Sequence, residues 1–220
     1  VLSDSAIRVI VREWISPPET TTGFVCQQVY TVYGSGDVVI DVHFSPGHTR
    51  GLLPRLGLQL RLAPGLDEIT WFGRGPHESY VDRLASASVG RYSGSVDGQY
   101  VPYVMPQENG NKTDVRWVTL TDERGLGLLA VGAPYLEVSA HHYTAANLTA
   151  AQHTNELVWQ PSVTLNLDYR QSGLGGASCG PGTRPEYLLP AQETHFRVRL
   201  KGVDGECAAD ELARLAVPEA

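Results

Sequence analysis

No stretch of the 220-residue sequence approaches the roughly 20 consecutive apolar residues that a membrane-spanning helix needs. Basic clusters are missing too. The formal net charge is −7, and an acidic balance without a lysine- or arginine-rich stretch argues against nucleic acid or an anionic membrane as partner. Cysteine is scarce and odd in number: Cys26, Cys179 and Cys207, none near another. That spacing excludes a disulfide framework and a Cys-x-x-Cys metal site, and a reducing cytoplasm is the simplest reading. The opening VLSDSAIRVIVREW has no basic start, no continuous apolar run and no initiator methionine. It does not read as a signal peptide, and the chain reads as a piece of a longer polypeptide. The acceptor patterns at Asn111 and Asn147 have no consequence in a cytoplasmic protein. No phosphate loop is present, and the Gly-rich run 173–176 precedes no helix, so it is not a dinucleotide site.

What is abundant is alternation with a period of two. FVCQQVYTVYG (24–34) and DVVIDVHFSP (37–46) flank a Gly-Ser-Gly-Asp turn and read as a hairpin. RLGLQLRLAP (55–64) puts Leu56, Leu58, Leu60 and Leu62 on one face. DEITWFGRGP (67–76) ends at a Gly-Pro break, and 115–132 reads as a hairpin turning at Asp-Glu-Arg-Gly. Segments 134–143, 155–173 and 194–202 continue the pattern. Helical signal is thin: one short helix within 144–157, with Thr144 as N-cap, and a short helix or tail within 208–217. Strand–helix alternation is absent, so a doubly wound sheet or a TIM barrel is excluded. The expected fold is all-β and antiparallel, with two extended sheets face to face.

Four stretches could carry chemistry. WFGRGPHESYVDR (71–83) holds Gly75, Pro76, His77, Glu78, Tyr80, Asp82 and Arg83. Two carboxylates with a histidine could serve acid/base work, but a polar turn locked by a carboxylate–arginine pair is the favoured reading. YVPYVMPQENGNKTDVRW (100–117) holds Pro106, Gln107, Glu108, Asn109, Arg116 and Trp117. Tyr100, Tyr103 and Trp117 could stack on a sugar beside these polar partners, or could complete the core. In SAHHYT (139–144), His141 and His142 project to opposite faces of a strand, so one metal cannot easily take both. The glycine-rich SGLGGASCGPGTRPEYLL (172–189) is too irregular for a linker and too rich in turn formers for core. Such a loop places a side chain, and Cys179 is the conspicuous one; a nucleophilic thiolate there would need an activating partner, which the sequence does not mark.

These stretches, with SAHHYTAANLTAAQHTNEL (139–157), occur in one order across residues 55–200. In that order the chain resembles the C-terminal small domain of the large bacterial β-galactosidases of glycoside hydrolase family 2. The resemblance implies a galactose mutarotase-like β-supersandwich over residues 1–203, lacking its first strands, followed by a tail or short helix at 204–220. It also implies that the whole enzyme hydrolyses terminal β-galactosides such as lactose with retention. The two catalytic glutamates would then lie in a TIM barrel outside this chain, so this chain carries no catalytic residue. The magnesium and sodium that full-length members often use would likewise sit in other domains, leaving this chain without a cofactor or metal. Its partners would be the remainder of the polypeptide, the galactoside through the full enzyme, and further copies in a homo-oligomer.

In this family the glycine-rich loop reaches the active-site mouth, where some members place a tryptophan against the sugar in the aglycone position. Aligned on Gly-Gly, that place falls at Cys179, which offers no aromatic platform. The resemblance therefore assigns Ser178, Cys179, Gly180 and Pro181 to the substrate rim. It gives Gly75, Pro76, Glu78, Tyr80, Asp82, Arg83, Pro106, Glu108, Asn109, Arg116, Trp117, His142 and Tyr143 structural roles. Two other classes stay open: a stand-alone carbohydrate-binding module, and an aldose 1-epimerase using His141 or His142 with Glu108, Glu137 or Glu156.

Overall fold

The computed structural model describes residues 6–47, 50–176, 179–205 and 208–215. Its strands are β1 (Ala6–Ile15), β2 (Phe24–Tyr33), β3 (Asp37–Ser45), β4 (Leu52–Leu53), β5 (Arg55–Leu62), β6 (Glu68–Gly75) and β7 (Ser88–Ser95). They continue with β8 (Lys112–Thr121), β9 (Leu126–His141), β10 (Val163–Gln171), β11 (Leu189–Pro190) and β12 (Thr194–Asp204), and two short helices, α1 (Ala145–Ala150) and α2 (Ala209–Arg214), complete the elements used below. Every strand pairing is antiparallel. The β2–β3 hairpin turns at Gly36, whose φ of 81° is open to glycine at little cost.

The main ladder runs β1-β2-β3-β12-β9-β8-β6-β7. A second branch leaves it at β9, which is 16 residues long. Its first half pairs with β12 up to Ala133, and its second half pairs with β10 from Glu137 onward; β10 in turn pairs with β5. Pro134 falls between these ladders, where its missing N–H removes no pairing bond. That is why 126–141 is one strand, although the sequence pattern suggests a break at 132–134. The branches close on one core. Val42, Phe196 and Val198 come from the first, and Leu56, Leu165 and Leu167 from the second. The Tyr169 and Phe196 rings meet across it at 5.9 Å.

Other departures from the sequence reading have local causes. The 155–173 segment becomes a strand only at Val163; a 3-10 turn at Thr154–Glu156 and Pro161 occupy its first part. The helix expected within 144–157 is the six-residue α1, and Thr144 caps it, its hydroxyl accepting from the Asn147 N–H at 3.1 Å. The 208–217 segment contains α2, tied back to β12 by Arg199, whose Nη1 donates to the carbonyls of Leu212 and Leu215 at 3.0 and 2.8 Å. Two long strands, β1 and β7, have no counterpart in the sequence reading. β7 is a sheet edge of three serines and two glycines with single valine, arginine and tyrosine residues and no apolar alternation, and β1 is apolar on both faces.

One glycine decides the packing of the second branch. A Cβ on Gly57 would stand 2.2 Å from Asp168 Oδ1 and 2.4 Å from its Cα, so β5 can lie against β10 there only without a side chain.

Candidate functional site

The two motif-bearing turns and the glycine-rich loop meet in one cluster. Glu78 is its pivot: Oε2 accepts the Gly110 N–H at 2.8 Å, and Oε1 takes Tyr103 OH and the Arg83 guanidinium, the latter at 3.3 Å. Arg83 also donates to Tyr103 OH at 3.1 Å and lies over the Tyr80 ring at 5.1 Å. Tyr80 is fully buried, and burial pushes its phenol pKa far up, so it stays neutral. The expected carboxylate–arginine lock is thus Glu78–Arg83, while Asp82 does something else. Its Oδ2 accepts the Gly175 N–H at 2.7 Å, tying this turn to the glycine-rich loop.

That loop is pinned at its base. Ser172 Oγ donates to Leu53 O at 2.7 Å, Gly173 N–H donates to Tyr187 O at 2.7 Å, and Thr183 Oγ1 donates to Gly173 O at 3.1 Å. Its tip is exposed at Cys179, Gly180 and Pro181, and Cys179 is a free thiol. Ser178 lies outside the described residues.

Beneath the turns, the side of the β10–β9 pair facing away from the core is polar yet buried, apart from the half-buried Thr164. Asp168 stands opposite Glu137, Asn166 opposite Ser139 and Thr164 opposite His141. Arg55 bridges Asp168 and Glu108, holding Glu108 at 2.8 Å and Asp168 through two nitrogens. Gln171 Nε2 joins Asp168 (2.9 Å) to Asn111 (3.2 Å), and Asn111 Nδ2 reaches Glu137 (3.1 Å) and Ser79 O (3.0 Å). Burial raises the pKa of Asp168 and of Glu108, with Arg55 opposing in both cases. Glu137 is pushed up to about 7, mainly by burial, with facing Asp168 adding to it against the pull of Asn111. Lys112 is buried with its Nζ donating to Gly110 O at 2.9 Å and lying 5.1 Å from the Trp71 ring centroid; burial lowers it to about 8.

The model of the family described as β-galactosidase small chain matches residues 2–200. The chain belongs to that family. A β-galactosidase of Priestia megaterium is 40% identical over 171 residues, covering 77% of this chain and 16% of that protein. One from Lactobacillus delbrueckii subsp. bulgaricus is 40% identical over 170 residues, covering 74% and 16%. The chain therefore spans about a sixth of the length of these relatives. Among solved structures, a GalM/aldose epimerase homologue from Caenorhabditis elegans superposes with a TM-score of 0.47 at 10% identity, over 92% of this chain and 66% of that one.

Within this β-galactosidase small chain, the other residues singled out from sequence sit in fixed places. Gly75 and Pro76 end β6, where a Cβ on Gly75 would meet the Tyr92 ring at 2.7 Å. Pro106 is buried. Asn109 holds the loop by accepting from Val101 N–H and donating to Gln107 O, both at 2.9 Å. Arg116 lies over the rings of Tyr135 (4.3 Å) and Phe72 (5.6 Å). The sugar platform of Tyr100, Tyr103 and Trp117 does not form. Trp117 is buried against Phe72, Tyr103 is bonded to Glu78, and Tyr100 meets Tyr143 edge-on at 5.4 Å. His77 lies apart, 2.9 Å from Ser86 Oγ. His141 faces Asn109 O at 2.8 Å, whereas His142 faces Gln160 O at 2.8 Å and stacks on Trp159 at 4.6 Å. Among the described residues, no three His, Cys, Asp or Glu side chains come together in one group.

Sequence reasoning missed Arg55, Asn111, Lys112, Asp168 and Gln171. Arg55, Lys112, Asp168 and Gln171 lie on alternating strands, so their polar positions read as solvent-facing, and Asn111 reads as part of a polar loop; the segments 76–87 and 100–111 cover this side, Asn111 itself reaching Gln171 and Glu137 from the second of them.

Proposed function

We propose that the chain is a non-catalytic part of a retaining β-galactosidase that acts on terminal β-galactosides such as lactose, and that it lends its glycine-rich loop to the rim of an active site built elsewhere. The observation that carries this reading is the loop itself: an exposed tip at 179–181 on a base fixed by Ser172, Gly173 and Asp82. A segment pinned at its base while 179–181 stay exposed is suited to present that tip to something outside the chain. The carboxyl groups support the same view. Retaining hydrolysis uses two carboxyl groups about 5–5.5 Å apart, one free to attack and one to transfer a proton. Here Glu78, Glu108, Glu137 and Asp168 are all committed to internal partners. The same commitment removes support from the epimerase reading, since Glu156 is bonded to His153 and His141 to Asn109.

Assembly is the second part of the role. Ile7, Val9, Val11 and Ile15 of β1 stand opposite Val32, Tyr30, Gln28 and Phe24 of β2. They extend the core-facing side of the sheet, yet each is 40% or more exposed. Glu13, opposite Cys26, is the one charged residue in this row, and a largely apolar face continuous with the core fits burial against the rest of a larger β-galactosidase. No helix among the described residues is long and apolar enough to cross a membrane. Free Cys26 and Cys179 accord with a reducing cytoplasm.

The Cys179 side chain gives the test. In the full-length enzyme, Cys179→Trp supplies an aromatic face of the kind worth about 1 kcal/mol, so glucose should bind about fivefold more tightly as acceptor. Glucose inhibition and the share of galactosyl transfer to glucose are the readouts. If neither moves, the loop has no part in the rim.

A further inference from the structure

We infer that Asp82 is the positioning residue of the glycine-rich loop: its carboxylate fixes the backbone at 173–175 and through it the place of Cys179. Three observations converge. Asp82 Oδ2 accepts the Gly175 N–H at 2.7 Å, across 93 residues of sequence. A carboxylate accepting from a backbone N–H is among the stronger hydrogen bonds. Gly173 is shaped to this carboxylate: a Cβ there would lie 2.7 Å from Asp82 Cγ and 2.8 Å from Oδ2, so the loop approaches only because the position lacks a side chain. Gly175 takes a φ of 63°, with its Cβ position 2.6 Å from Thr183 Oγ1, a second approach that only glycine allows.

Asp82 is itself held. Tyr80 and Arg83 close a tight turn around it, with Arg83 N–H donating to Tyr80 O at 2.7 Å. The buried Tyr80 ring and the Glu78–Arg83 pair fix both ends of that turn. Past Gly175, the loop's own bonds pass the position outward: Gly176 N–H donates to Pro181 O at 3.3 Å, and Cys179 N–H to Gly176 O at 3.2 Å. Ser-Tyr-Val-Asp-Arg and Gly-Leu-Gly-Gly are thus two halves of one device.

The consequence for catalysis rests on the rim reading proposed above; the positioning itself does not. Two readouts in the full-length enzyme separate them. Iodoacetamide alkylation of Cys179, followed on its peptide by mass spectrometry, reports the loop's conformation. The partition of galactosyl transfer between glucose and water reports the rim. Asp82→Ala should change the alkylation rate at least fivefold. Asp82→Asn, whose amide oxygen can accept the same bond, should stay within about twofold of the parent. Gly173→Ala puts a methyl group where the carboxylate stands and should reproduce the Asp82→Ala change from the loop side, even where the latter folds poorly. With the rim reading, Asp82→Ala also weakens glucose as acceptor about threefold or more while kcat for hydrolysis stays within twofold. Unchanged alkylation in Asp82→Ala and Gly173→Ala overturns the inference. Changed alkylation with an unchanged partition leaves Asp82 as the positioning residue and removes the loop from the rim.

Discussion

Replacing Arg55 by methionine is expected to destabilise the fold by about 3–5 kcal/mol at neutral pH, the range found when one partner of a buried ion pair is removed. Arg55 is the shared counter-charge of Asp168 and Glu108. Asp168 is almost fully enclosed, with 3% of its side chain exposed, so water cannot replace the guanidinium there. Burial already raises both carboxyl pKa values against the opposing pull of Arg55, and without that pull they rise further. The sign follows: once protonated, neither carboxyl needs the cation, so the deficit of the variant shrinks as pH falls. Arg55→Lys should recover only part of the loss, because a single ammonium cannot reproduce the fork that spans both carboxylates. Urea denaturation at pH 7 and pH 5 measures both effects. A loss below about 1 kcal/mol at pH 7 would mean that the bridge behaves as a solvated surface pair.

The second large effect is a trough in stability near pH 7–8. Glu137 moves from 4.5 to about 7 on folding, so the folded state holds its proton more tightly. That contribution is complete below pH 4.5 and is lost as pH rises to about 7. Lys112 moves from 10.5 down to about 8, so the unfolded state holds its proton more tightly. Stability therefore recovers as pH rises from about 8 to 10.5. Each displacement corresponds to about 3 kcal/mol at most. Denaturation midpoints across pH 4.5–10.5 should trace a minimum between the two limbs. Glu137→Gln should flatten the acid limb, and Lys112→Met the alkaline one. A profile that rises steadily from pH 5 to 7 would contradict the assignment of Glu137, and one that stays flat or falls from pH 8 to 10.5 would contradict that of Lys112.

The acid limb has a cause that alternation alone could not reveal. In VTLNLDYRQ, Leu165 and Leu167 mark the core face, and Asn166 and Asp168 then read as solvent-facing. Both polar residues are buried, because loops from 76–87 and 100–111 fold across that side. Local periodicity reports which face meets the core; it carries no information about a roof contributed from 60 residues away. Gly57 held a clue, since a glycine inside a clean leucine alternation signals close backbone approach. The antiparallel fold, the β2–β3 hairpin and the Thr144 cap were legible because each is decided within a few residues. The β9 strand was not: Pro134 reads as a stop, and only the exchange of partner from β12 to β10 makes it harmless. Among the site residues, Glu78 with Arg83 was legible as a local pair. The bond from Asp82 to Gly175 was not, since it spans 93 residues.

The reading of this chain as a non-catalytic part of a β-galactosidase is tested most directly by assaying it alone. A chromogenic aryl β-galactoside is incubated with the purified chain at high concentration. Turnover no faster than buffer is the expected result, because Glu78, Glu108, Glu137 and Asp168 are all engaged in holding the fold. Reproducible turnover that disappears when one of these carboxyls is replaced by its amide would place a working site within these 220 residues and contradict the account.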